Sequence, residues 1–176
     1  MDEPDITWAV PGGDFKLRTA AVVRDGDDVL LCAVDGMPIR FLPGGKLRFG
    51  ESSSAALTRE LREELGIEFT VDAAPTLVAQ GIRRVGDAVH QEVCFYHEVA
   101  WPSGLARGAA NERAEDGHRF DWVPLSGLGS AGFVPMEIVP HLGAGPGVRH
   151  LSFERREDGI APSANVRPHP AVRFSG

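Results

Sequence analysis

Between Gly44 and Ile67 the chain reads GGKLRFGESSSAALTRELREELGI, and this stretch limits the possible folds more than any other. A glycine pair opens it, a short loop follows, and then comes an amphipathic helix. Glu60, Glu63 and Glu64 fall at i, i+3 and i+4, which aligns them on one stripe of an α-helix. Leu57, Leu61 and Leu65 recur every fourth residue on a neighbouring stripe, so this face needs a core to cover it. The pattern predicts a helix over 53–65. Ser52, Ser53 and Ser54 each offer an N-cap oxygen, and Gly66 suits a left-handed stop.

Three adjacent carboxylates repel one another. Glu60 and Glu64 alone cost about 0.2–0.5 kcal/mol as a like-charge pair on an exposed helix, and Arg59, four residues before Glu63, offsets part of this. The surplus charge makes physical sense if a hard cation neutralises it. Mg²⁺ and Mn²⁺ prefer carboxylate and carbonyl oxygen, and Mg²⁺ also takes substrate phosphates.

The remaining chain is that of one globular domain: 176 residues, 43% apolar. No apolar run reaches membrane-spanning length, and the acidic opening MDEPDITW lacks the order of a secretory signal, so a cytoplasmic location is expected. The net charge of −7 repels long nucleic acid, and no basic stripe with interleaved aromatics offsets it. A phosphorylated ligand needs local help from metal, glycine amides and a few arginines. Cys32 and Cys94 sit in apolar runs and read as buried, reduced thiols. The six histidines show no metal-ligand spacing with them.

Residues 1–14, with Pro4, Pro11 and Gly12-Gly13, read as a loosely held arm on which Trp8 and Val10 could dock against the body. Strands are predicted over 16–23, 29–34, 39–42, 76–85, 91–101, 120–124 and 148–154, with an extended exit from the helix over 68–71. The turns at Asp25–Asp28 and Gly86-Asp87 predict two hairpins. A short second helix falls over 137–142, limited by Pro135 and Pro140. The proline-containing stretch 159–176 is a tail, either disordered or wrapped on a partner, and a homodimer is a candidate assembly. The division is therefore arm 1–14, domain 15–158 and tail 159–176. Its α/β content, with two hairpins and two helices, suggests a mixed sheet with helices on its faces.

The central stretch resembles the Nudix box, G-x5-E-x7-R-E-U-x-E-E-x-G-U with U aliphatic. Gly45, Glu51, Arg59, Glu60, Leu61, Glu63, Glu64, Gly66 and Ile67 fill every specified position. The FLPGG entry and the FDWVPL segment also look like their usual counterparts, so the resemblance reaches from about Lys16 to Leu142. It implies a Nudix-type α/β/α sandwich with a mixed β-sheet and the box as loop–helix–loop. It further implies a pyrophosphohydrolase that uses Mg²⁺ or Mn²⁺ to cleave a small nucleoside diphosphate derivative by water attack on phosphorus.

Carried over, Glu60 and Glu64 are expected metal ligands, Glu63 a third ligand or bridging group, and the Gly44 carbonyl a further one. Any of the three glutamates could be the base. Arg59 is expected to orient the carboxylates. Glu51 either reaches the metal or fixes the loop to the helix. Gly45, Lys46 and Arg48 are candidate phosphate contacts, with solvent exposure the alternative for the two cations. Glu115, in the loop before FDWVPL, is a candidate extra ligand or base. Arg18, Arg40, Arg83 and Arg84 could clamp phosphate, and Trp8, Phe41, Phe95 and Tyr96 could stack a base; for each, ordinary surface or core packing is the competing reading. A nucleotide-binding or interaction module without turnover is the alternative function. Such modules usually show a degraded box, and this one is intact.

Overall fold

The computed structural model describes residues 3–112, 114, 117–143 and 147–157. The tail and Glu115 lie outside them. Among the described residues nine strands form one sheet: β1 (Thr7–Val10), β2 (Gly13–Asp25), β3 (Asp28–Val34), β4 (Arg40–Phe41), β5 (Gly44–Lys46), β6 (Leu77–Val85), β7 (Ala88–Ala100), β8 (His118–Pro124) and β9 (Arg149–Glu157). The main path runs β4-β3-β2-β7-β6-β9, with β1 and β5 paired to β2 and β8 to β3. The β2–β7 and β6–β9 ladders are parallel and the others antiparallel, so the sheet is mixed.

The middle of β2 and β3 is apolar without alternation because both faces are covered. Ala20, Val22, Val29 and Leu31 belong to one core, together with Leu77, Tyr96, Leu128, Phe133 and Ile138. Ala21, Val23, Leu30 and Cys32 belong to the other, with Leu57, Leu61 and Leu65 of the helix. A one-residue slip of either strand would exchange its two faces.

The helix α1 (Ser53–Leu65) is the α-helix among the described residues. Of the three candidate serines, Ser52 is the N-cap, and its hydroxyl accepts from the Ala55 amide at 3.2 Å. Gly66 closes the helix at φ 65°, its N–H donating to the Arg62 carbonyl. Leu57, Leu61 and Leu65 are fully or nearly fully buried. Burial at about 1.5–3 kcal/mol each outweighs the charge repulsion on the adjoining stripe.

Several expectations need correction. The short second helix expected over 137–142 lies one residue earlier, Met136–His141, and is of the 3-10 type, with Pro140 inside it; Pro140 lacks the N–H that an α-turn requires. The opposite layer of the sandwich is built from this and a second 3-10 turn, Leu125–Gly127. Residues 68–71 form no ladder; Phe69 instead packs its ring on Trp101, with centroids 5.8 Å apart. The opening segment is not loose along 5–10. Thr7–Val10 pairs with Gly13–Lys16, which extends β2 three residues earlier than its apolar run suggests. Trp8 does not dock; it is 71% exposed. Both cysteines are free and buried, and burial pushes each thiol pKa up to about 12.

Candidate active site

The site forms where β5 delivers Gly44 and Gly45 to the start of the box, directly beneath α1. Gly44 has φ 138° and pairs with Ala20; a Cβ there would collide with the Thr19 carbonyl. At Gly45 a Cβ would collide with the carboxylate of Glu60. Only glycine lets the backbone and that carboxylate approach this closely. Glu64, one turn further along α1, accepts the Gly44 amide at 3.1 Å. Glu60 and Glu64 therefore both reach back to the same dipeptide, as their shared stripe predicted.

Arg59 organises the rest. Its side chain is 11% exposed, and its five N–H donors meet five acceptors. Nε and Nη2 hold the two oxygens of Glu51 at 2.8 and 2.9 Å. Nη1 reaches Glu60 at 2.7 Å and Glu63 at 3.2 Å. Nη2 also donates to the Lys46 carbonyl at 3.1 Å. Glu51 accepts a further bond from the Arg48 amide at 2.9 Å. The Arg59 hydrogen bond, against opposing burial and with help from that amide, holds the Glu51 carboxyl below the usual carboxylate range. Conversely the Glu51 bond raises the guanidinium pKa, so Arg59 stays charged.

Glu63 behaves differently from its neighbours. Its side chain is 48% exposed and lies between Arg59 and Arg48, whose Nη2 is 3.9 Å away. Lys46 is engaged by Asp5, Nζ to Oδ2 2.7 Å. Nothing in the local sequence signals that contact, which spans the length from the opening segment to the box.

The other candidates scatter. Arg83 and Arg84 pair with Glu157 and Glu154 of β9. Arg18 lies 3.8 Å from Glu92. Tyr96 is buried in the core and Phe41 packs against the helix-side core. Arg40 lines a cavity of about 250 Å³ with Arg119, Asp35, Met37 and Pro38. Asp121 bridges the two arginines, Arg40 Nε at 3.3 Å and Arg119 Nη2 at 3.2 Å. The β2–β3 register, continued from Arg24↔Val29, would set Ala33 and Val34 beside Ala20 and Thr19. Those positions of β2 instead face Gly44 and Gly45, while Ala33 pairs with Arg40. β5 and β4 thus wedge the two strands apart, and the cavity opens at the same end of the sheet as the glycine pair.

Sequence reasoning missed His97, which is 1% exposed under the start of α1. Its Nδ1 lies 3.1 Å from the Asp72 carbonyl and its Nε2 3.1 Å from the Ser53 hydroxyl. A carbonyl only accepts, so Nδ1 carries the proton and Nε2 accepts from Ser53. Burial lowers the His97 pKa. A histidine inside a strand with apolar neighbours carried no pattern that marked this contact.

A hard cation suits the donor chemistry: two carboxylates one turn apart, directed at one main-chain dipeptide, with a third on the same stripe. Among the described residues no three His, Cys, Asp or Glu side chains converge on one point as a ready-made ion site.

The fold and this site together define the class. The family model described as the NUDIX domain matches residues 14–141, and the chain belongs to that family. A Mycobacterium tuberculosis protein named as an 8-oxo-dGTP diphosphatase, found in strains CDC 1551 and H37Rv, is 34% identical over 97 residues, covering 54% of this chain and 61% of that relative. The chain thus spans less than two thirds of the length of the curated relatives it matches. Among solved structures, the mutator MutT protein from Bacillus halodurans superposes with a TM-score of 0.63 at 19% identity, covering 81% of this chain and 92% of the other. The E. coli ORF135 protein gives a TM-score of 0.51 at 25% identity, with 78% and 92% covered. Among the described residues no helix is long and apolar enough to cross a membrane.

Proposed function

We propose that this chain is a Mg²⁺- or Mn²⁺-dependent hydrolase that cleaves a phosphoanhydride bond of a small nucleoside diphosphate derivative, with water attacking phosphorus. The observation that carries the reading is the Arg59 network. One largely sheltered cation fixes Glu51, Glu60 and Glu63 together, while Glu60 and Glu64 reach the Gly44-Gly45 backbone. An intact box so arranged supports turnover over a binding module, in which a glutamate is usually replaced.

In this reading Glu60, Glu64, Glu63 and the Gly44 carbonyl would hold the cation. Bound there, it neutralises phosphate charge and lowers the pKa of water. Arg59 orients the carboxylates from below, and Glu51 anchors the loop to the helix through its two bonds to Arg59 and one to Arg48. Glycine at 45 leaves room for the Glu60 carboxylate against the backbone. Lys46 and Arg48 stand in the loop as the cations for the leaving phosphate, Lys46 by exchanging the Asp5 carboxylate that holds it for the phosphate. One glutamate of the stripe takes the proton from the attacking water.

The group carried on the diphosphate fits the cavity between Arg40 and Arg119. It is lined from β3, β4 and the turn between them, next along the chain to β5. The Asp121 bridge pre-orients both guanidiniums toward acceptor-rich groups. A nucleobase carbonyl is such a group, and the tuberculosis relative's name makes an oxidised deoxyguanosine triphosphate the first substrate to try. The two free thiols fit a reducing, cytoplasmic compartment. The test is a panel of nucleoside di- and triphosphates, 8-oxo-dGTP included, incubated with Mg²⁺ and assayed for released phosphate or pyrophosphate. Chelator-sensitive turnover of one member supports the reading; ligand binding with no turnover of any member contradicts it.

A further inference from the structure

The box loop is flanked by glycines, and Arg59 and Glu51 tie it to α1. Gly50 has φ 86°, and Phe49 is 72% exposed, so no apolar packing fixes the loop's far end. On the side away from α1 the opening segment holds it. Asp5 and Arg48 form an antiparallel bridge. The Ile6 amide donates to the Leu47 carbonyl at 2.7 Å, and the Phe49 amide donates to the Pro4 carbonyl at 2.9 Å. Leu17 of β2 completes a triangle, its amide donating to the Ile6 carbonyl at 3.1 Å and its carbonyl accepting from Leu47 at 3.0 Å. Leu47 itself is 4% exposed.

The loop residues held in this way are the ones wired to Arg59. The Lys46 carbonyl accepts from Arg59, and the Arg48 amide donates to Glu51. On the outer side the Asp5 carboxylate takes the Lys46 ammonium. The opening segment is thus one hydrogen bond removed from the network that sets the carboxylate stripe.

We propose that Pro4–Ile6 is a positioning strap: by pairing with Leu47–Phe49 it sets where the Lys46 carbonyl and Arg48 amide stand, and through them the orientation of Arg59 and Glu51. None of its residues touches substrate. The strap acts on geometry, so its loss lowers the rate of the chemical step more than it weakens substrate binding. Its kinetic consequence rests on the hydrolase reading; its structural consequence does not.

Two variants of the full chain test this: one lacking residues 2–6, and the gentler Ile6→Pro, which removes the single amide that Leu47 accepts and remains foldable if the deletion is not. Amide exchange is followed at Phe49, at the Arg59 Nε–H and at Val22, deep in the β2–β7 ladder. The expected result is exchange about tenfold or more faster at Phe49 and at Arg59 Nε, with Val22 unchanged. With the best substrate, kcat should fall about tenfold while KM moves less than about threefold. Unchanged exchange at Phe49 overturns the strap. So does a faster Phe49 with Arg59 Nε–H and kcat unaltered, or an equal acceleration at Val22, which means general fold support. If the unaltered chain hydrolyses nothing, the hydrolase reading fails, and the Arg59 Nε–H signal still decides the strap.

Discussion

Arg59 grips both oxygens of Glu51 across eight residues of sequence, Nε to Oε1 at 2.8 Å and Nη2 to Oε2 at 2.9 Å. This pair ties the box loop to α1 with 11% and 22% of the two side chains exposed. It is sheltered enough that removing one partner leaves the other charge poorly solvated.

Glu51→Gln should therefore destabilise the fold by about 1.5–3 kcal/mol, the worth of hydrogen bonds to a charged group, with Arg59 still held by Glu60 and Glu63. It should also lower turnover, because Arg59 loses its anchor. Denaturant unfolding monitored by tryptophan fluorescence checks the first part. A change below about 0.5 kcal/mol would place Glu51 among ordinary exposed pairs.

Acid should destabilise the protein in two separate windows. His97 has a lowered folded pKa, so the unfolded chain binds more protons there. Its contribution is complete above the ordinary histidine value near 6.5 and is lost as pH falls through the lowered folded value. Glu51 follows the same sign further down: its contribution is complete above the ordinary glutamate value, about 4.3, and disappears as pH drops through its depressed one. Thermal melts from pH 8 to 3 should show both losses. His97→Gln should flatten the upper one while leaving the lower in place; an upper loss of the same size in that variant removes His97 as its cause.

Gly45→Ala adds one methyl group where the Glu60 carboxylate already sits. The carboxylate must move, at a cost of about 1–3 kcal/mol for overpacking. A shift of about 1 Å at a reacting centre is worth about 10²-fold in rate. Steady-state kinetics on the variant should show a kcat loss of that order. Gly50→Ala is the comparison: a Cβ there meets nothing within 4 Å, although φ 86° strains it. Equal kcat for Gly45→Ala and the unaltered chain would mean that Glu60 has no fixed place.

The helix was legible because its signals are local. Periodic leucines, the serine cap and Gly66 lie within one stretch, and α1 spans the predicted residues. The glutamate stripe and the partnership of Arg59 with Glu63 followed from helical spacing alone. Two readings of Glu51 stood open because a carboxylate eight residues before Arg59 can turn either way; the fold directs it to Arg59. The strap, the Asp5–Lys46 pair and the His97 contacts join residues 25 to 45 apart, and no periodicity encodes such pairings. The sheet was misjudged at its margins for the same reason. β1 is exposed along its whole length, so its sequence has no apolar alternation to announce it.

The central claim is that the carboxylate stripe holds a divalent cation and drives hydrolysis, and the most direct measurement compares Glu60→Gln, Glu63→Gln and Glu64→Gln with the unaltered chain. Turnover of the best nucleotide is measured at saturating Mg²⁺, with Mn²⁺ binding followed on the same samples. Glutamine keeps size and helix propensity and removes only the charge. Each change should lower kcat by about 10²–10³, equivalent to about 3–4 kcal/mol of transition-state stabilisation, and weaken Mn²⁺ binding. Stability should fall in Glu60→Gln, which gives up the charge on the 2.7 Å bond to Arg59, and change little in the half-exposed Glu63→Gln. Glu68→Gln, beyond the helix end, should change neither quantity. Turnover within a few fold of the unaltered chain in all three stripe variants, with Mn²⁺ binding intact, would contradict the account.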